Sequence, residues 1–161
     1  MNPGFVEQYK HVVATAGIVT TNGGVTCDTV SLKNVHKAWI ELVFLQAATH
    51  ATVINPVVGT AVGSCATAIT FAAPWWKNAD ISASDTLVAQ TAATTASCTL
   101  GVANQHIIIE IDPQAVAAQS PTYTAMGCTI TTSGEATNFC SVVYHLLERY
   151  PQATPPAAIT D

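Results

Sequence analysis

The chain has 161 residues, of which 49% are hydrophobic and only 9% charged, with a formal net charge of −5. An ordinary soluble domain carries about 25% charged residues, so a free-standing surface of mixed charge is a poor account of this composition, and cover by other subunits is a better one. The acidic balance and the scatter of Lys10, Lys33, Lys37, Lys77 and Arg149 exclude the basic patch that nucleic-acid binding needs.

In chain order, residues 1–10 read as an N-terminal arm, with no basic segment followed by an apolar run, so a signal peptide is not expected. Thr, Val and Ile dominate the chain beyond residue 10, and branching at Cβ favours pleated, half-buried surfaces. Strands are predicted over 11–16 and 25–32, with Asn22-Gly23 between them as the strongest hairpin signal in the chain. From His36 to Phe44 the alternation is strict, with His36, Ala38, Ile40, Leu42 and Phe44 on one face and Lys37, Trp39 and Glu41 on the other. Short strands are predicted at 52–54, 66–72, 86–90 and 97–102, with turns at Asn55-Pro56 and Pro74. The low-charge stretch 42–76 is broken by Gln46, His50, Asn55, Pro56, Gly59 and Gly63, so it is not a transmembrane helix.

Residues 105–111 alternate again, with Ile107, Ile109 and Ile111 sharing a face, and stop at Asp112-Pro113. Proline at a first helical position predicts one helical turn over 113–119. A further strand is predicted at 122–131, and a turn at Ser133-Gly134-Glu135. Residues 139–150 fit both a strand face (Cys140, Val142, Tyr144, Leu146) and a helical stripe; their aromatic and β-branched content favours the strand. Many short strands at regular spacing predict an all-β chain, a single-domain β-sandwich or jelly-roll-like barrel over 11–150. The tail, 151–161, carries Pro151, Pro155, Pro156 and Ile159, cannot form a helix or central strand, and needs a surface to lie against. A neighbouring subunit is the natural candidate.

There is no G-x-S-x-G, no G-x-x-x-x-G-K and no H-E-x-x-H. Glu110 and Asp112 would project from one strand face, an arrangement that suits general acid–base work only if a second group shares the site; a solvated strand end is the simpler reading. The oxygen-rich run from Asn78 to Asp85 lacks the glycine and terminal glutamate of a calcium loop, and side chains closing their own turns explain it better. The five histidines are dispersed; His106 and His145 lie in strands that could be neighbours and could then share a metal, although a hydrogen-bonded role is commoner. No metal and no cofactor is expected, and no enzymatic activity.

Five cysteines, Cys27, Cys65, Cys98, Cys128 and Cys140, lie far apart in apolar or Thr-rich surroundings. They read as buried small hydrophobes; disulfide formation after release into an oxidising environment is the alternative, with the pairing open. Trp75 and Trp76 are the one loop cluster of bulky aromatics. Three roles are open to them: a sugar-stacking platform, a subunit contact, or a plug for the end of the core.

The C-terminal third carries a resemblance. His106-Ile-Ile-Ile-Glu-Ile-Asp-Pro113 is followed by Ala125-Met-Gly-Cys128-Thr-Ile-Thr, then by Asn138-Phe-Cys-Ser-Val-Val-Tyr144-His-Leu-Leu-Glu-Arg-Tyr150 and Ala153-Thr-Pro-Pro156-Ala-Ala-Ile-Thr-Asp161. These segments resemble a group of small tailed-phage proteins encoded near the head genes. Ala73-Pro-Trp-Trp76 with Asp85-Thr-Leu-Val88 is compatible, so the resemblance covers the chain from about Lys37 onward. It implies a virion component, foremost a head decoration (cement) protein made in the host cytoplasm, bound to the capsid surface and homo-oligomeric. Its partners would be the major capsid protein and copies of itself, without nucleic acid or membrane, and the interface residues singled out are Trp75, Trp76, Pro151, Pro155, Pro156 and Ile159. The alternatives are a tail or head–tail connector component, or a carbohydrate- or receptor-binding sandwich using Trp75 and Trp76.

Overall fold

A computed structural model describes residues 9–98 and 101–149. The expected all-β architecture is present: two antiparallel sheets pack as a sandwich, with one short helix. The first sheet holds β1 (Tyr9–Val13), β2 (Val19–Thr20), β5 (Val35–Gln46), β8 (Trp75–Asn78), β9 (Val88–Ala89), β11 (Gln105–Ile111) and β13 (Asn138–Glu148). Its order is β1-β13-β5-β11-β8-β9, with β2 also paired to β13. The second sheet holds β3 (Val25–Thr26), β4 (Val30–Ser31), β6 (Val53–Gly59), β7 (Cys65–Ala68), β10 (Ala96–Ser97) and β12 (Ala125–Ile130). Its order is β10-β6-β12-β3, with β4 on β12 and β7 on β6.

The period-two pattern decides which residues form the core. Ala38, Ile40, Leu42 and Phe44 of β5 face inward beside Ile107, Ile109 and Ile111 of β11 and Cys140, Val142, Tyr144 and Leu146 of β13. The second sheet meets them with Ile54, Val58, Met126, Cys128 and Ile130. Tyr144 ties the layers together: its hydroxyl donates to the Asp28 carbonyl at 2.8 Å. At one end Gln105 Nε2 donates to Gln46 Oε1 at 3.1 Å, and Gln46 Nε2 to the His50 carbonyl at 2.6 Å, so these buried amides are satisfied. The helix α1 (Pro113–Gln119) starts where proline predicted; the Asp112 side chain accepts from Gln114 N, and Val116 enters the core.

Two turn signals act differently from their local reading. Asn22-Gly23 does turn the chain, with Gly24 N donating to the Thr21 carbonyl at 3.1 Å and Gly24 at φ +79°. The flanking β2 and β3, however, lie in different sheets, so this is a corner between layers and not a hairpin. Asn55-Pro56 is not a turn at all but lies inside β6. Proline is tolerated there because, on the side of β6 away from β12, β10 pairs with residues 53 and 54 and β7 with 57 to 59, leaving position 56 in the gap. Residues 139–148 are strand, as their composition favoured.

Candidate functional site

An antiparallel sandwich normally turns a polar face to water. The outward face of the seven-stranded sheet departs from that. Its central strand β5 presents Lys37, Trp39, Glu41, Val43 and Leu45, all half-buried. Register with the neighbours lines these up in rows: His11, His145, Trp39 and Glu110 in one, and Val13, Val143, Glu41, Ile108 and Trp76 in the next. Tyr9, Leu147 and Lys37 form a third.

Glu41 is the hub of the polar groups. His145 Nε2 lies 2.5 Å from one of its oxygens and His106 Nε2 2.8 Å from the other. Burial alone would push the Glu41 carboxyl up, but the hydrogen bonds from His145 and His106 outweigh it and hold the group below its usual value. Behind His145, the Nδ1 atoms of His11 and His145 meet at 2.6 Å with the rings edge to face. That contact has room for a single proton. Burial first, and the adjacent His145 second, hold His11 below the usual imidazole value, against the opposing pull of Glu41.

A second cluster sits beside the first. Lys37 Nζ pairs with Glu110 Oε1 at 2.8 Å, and Trp39 Nε1 donates to Glu110 Oε2 at 3.2 Å. The Glu110 hydrogen bond raises Lys37 above its usual value. Between the clusters the surface opens a hollow of about 420 Å³ lined by Tyr9, Trp39, Glu41, Trp76, Ile108 and His145.

The residues singled out in the sequence fall in different parts of this fold. Trp75 and Trp76 turn to opposite faces: Trp75 is 9% exposed in the core with Nε1 donating to the Thr91 carbonyl at 2.9 Å, while Trp76 lines the hollow. They therefore do not form one shared platform. Pro151, Pro155, Pro156 and Ile159 lie outside the described residues. His106 and His145 are not on neighbouring strands, the arrangement expected from the sequence, but flank β5 and are bridged by Glu41. Among the described residues no group of three or more His, Cys, Asp or Glu side chains could hold a metal ion. Glu110 is engaged by Lys37 and Trp39 while Asp112 caps α1, so the two carboxyls work separately. Asp80 Oδ1 accepts from Ser82 N at 2.9 Å, and Asn78 Oδ1 from Asp80 N at 3.0 Å, the self-closing turns expected there.

All five cysteines are free thiols; Cys27, Cys98, Cys128 and Cys140 are buried and Cys65 half-buried. Burial pushes Cys98 and Cys140 up to about 12. Among the described residues no helix is long and apolar enough to cross a membrane.

Tyr9, His11, Trp39, Glu41 and Ile108 were not singled out in the sequence as a site. Alternation marked Trp39 and Glu41 as facing away from the core, but only the pairing of β1, β5, β11 and β13 brings all five onto one surface.

No family model matches the chain, and no curated protein matches it. Among solved structures it is similar to the crystal structure of SPBc2 prophage-derived protein YomS, at 8% sequence identity and a TM-score of 0.46, over 86% of this chain and 91% of that one. A likeness of that degree says nothing of activity.

Proposed function

We propose that the chain is a structural protein of a bacteriophage virion, binding the capsid surface and stabilising the shell through contacts between subunits. The observation that carries this reading is the outward face of the seven-stranded sheet. Tyr9, Trp39, Val43, Leu45, Trp76, Ile108, Val143 and Leu147 form a half-buried apolar and aromatic surface where a solitary sandwich would place charge. A chain with 9% charged residues has few charges with which to keep such a face apart from a partner. The resemblance of residues 106–161 to small tailed-phage proteins encoded near head genes supports the same reading.

The mechanism is additive. Each contact contributes about 25 cal/mol for every Å² of apolar surface removed from water. Repetition over a lattice turns a modest single contact into a persistent one. The paired state of Glu41, Glu110 and their partners suits this role, since carboxylates that already hold hydrogen-bonded partners cost less to desolvate.

The test is quantitative mass spectrometry of purified particles from the genome that encodes the chain, with copy number scaled to the major capsid protein. Hundreds of copies per particle support the shell role. A few copies would move the protein to the tail or connector, and absence from intact particles would reject a virion role.

A further inference from the structure

The hollow on the outward face has walls suited to one kind of guest. Tyr9 of β1, Trp39 of β5 and Trp76 of β8 contribute aromatic rings, and Ile108 of β11 adds an apolar patch. Tyr9 and Trp39 lie with centroids 6.1 Å apart and planes tilted by 44°, leaving an angled wall and not a stacked pair. The titratable groups within it are Glu41 and His145, and these already bond each other, with the second Glu41 oxygen taken by His106. Nothing there calls for a counter-charge, so a neutral, apolar guest is a better match than a cation or an acid. Aromatic-lined grooves of this kind take proline-rich extended segments, whose ordering costs little entropy on binding.

The chain carries one such segment. Residues 151–161 contain Pro151, Pro155, Pro156 and Ile159, and their only charged side chain is the last, Asp161. They follow β13 from the end of the sheet where the hollow lies, since Leu147 pairs with Tyr9 and His145 with Trp39. Eleven residues in polyproline conformation reach roughly 34 Å, at about 3.1 Å each. Proline at 151 biases the residue before it toward extended backbone, the direction that carries the chain onward from β13, while the chain's own hollow lies back along that strand. A neighbouring copy is therefore the better-placed donor.

We infer that the hollow formed by Tyr9, Trp39, Trp76 and Ile108 receives the proline-rich tail, residues 151–161, of a second copy of this chain. This rests on the subunit-contact reading above and names the partner. The contact is head-to-tail, so it propagates into chains or closes into rings.

Full-length variants test it by complementation. Trp76→Ala damages the hollow and leaves the tail intact; Pro155→Ser with Pro156→Ser does the reverse. Sedimentation velocity should show the wild type associating with concentration and each variant at least about tenfold weaker, the loss typical of an aromatic anchor. Mixed one to one, the two variants should form discrete pairs, because the intact tail of one meets the intact hollow of the other. Should Trp76→Ala fail to fold, Ile108→Thr serves as the hollow variant. Variants that associate like the wild type, a mixture that forms no pairs, or a wild type that stays monomeric would each overturn the inference, the last two being the results of a tail docked on its own chain or a hollow reserved for another protein. Particle copy number is scored separately: normal loading alongside any of these results leaves the shell role standing and removes only the tail-in-hollow contact.

Discussion

Replacing Glu41 by Gln removes the carboxylate that ties β5 to both of its neighbours on the outward face. Its oxygens lie 2.5 Å from His145 Nε2 and 2.8 Å from His106 Nε2. Hydrogen bonds to a charged group contribute about 1.5–3 kcal/mol each. The Glu41 side chain keeps 32% of its exposure, however, so water replaces much of what is lost. The expected loss is about 1.5 kcal/mol, and in a domain of this size that lowers the melting temperature by about 3–6 °C. The pH dependence has a definite sign. Because the folded Glu41 carboxyl titrates below its ordinary value of 4.5, its contribution is present above 4.5 and is lost as pH falls through the folded value. Thermal melts of wild type and E41Q across pH should therefore show the gap at neutral pH and its closure in acid. Equal melting temperatures at neutral pH, or a gap that persists after Glu41 protonates, would refute the hub role.

Three further outcomes are expected. His11 is held below its ordinary value of 6.5, so it penalises folding as pH falls from 6.5 through the folded value; H11N should lose less stability over that range than the wild type in urea titrations. At Gly59 an added Cβ would come within 1.9 Å of the Ser64 carbonyl oxygen, which is backbone and cannot rotate away, so Gly59→Ala should yield little folded protein by circular dichroism. In the native state iodoacetamide at mildly alkaline pH should modify Cys65 well before Cys98 or Cys140, which burial holds at about 12, while denaturant should expose all five thiols to labelling, as read by peptide mass spectrometry.

Patterns that repeat locally were legible in the sequence. The alternation in 36–44 and 105–111, and the proline ahead of 114–119, place β5, β11 and α1, because a period of two or a fixed φ is written in adjacent residues. The one misplaced residue is His36, which is exposed and not inward, because the register with β13 shifts between Lys37 and Val35. Sheet membership was not legible. Asn22-Gly23 specifies a turn, but whether the strands beside it pair with each other depends on β12 and β13, more than 100 residues away. Pro56 reads as a breaker until the gap between β7 and β10 is known. The polar hub was hidden for the same reason: Glu41 and His145 are 104 positions apart, and only register makes them neighbours. Trp75 and Trp76 show the limit most simply, since adjacent residues in a strand must face opposite ways once the segment is known to be β8.

The measurement that tests the central claim most directly is hydroxyl-radical footprinting of the protein free and on assembled particles. The outward face as a contact surface predicts that Tyr9, Trp39 and Trp76 lose labelling on the particle, while Val102, 64% exposed in the loop before β11, serves as the reference. Undiminished labelling of all three aromatics on the particle would contradict the account.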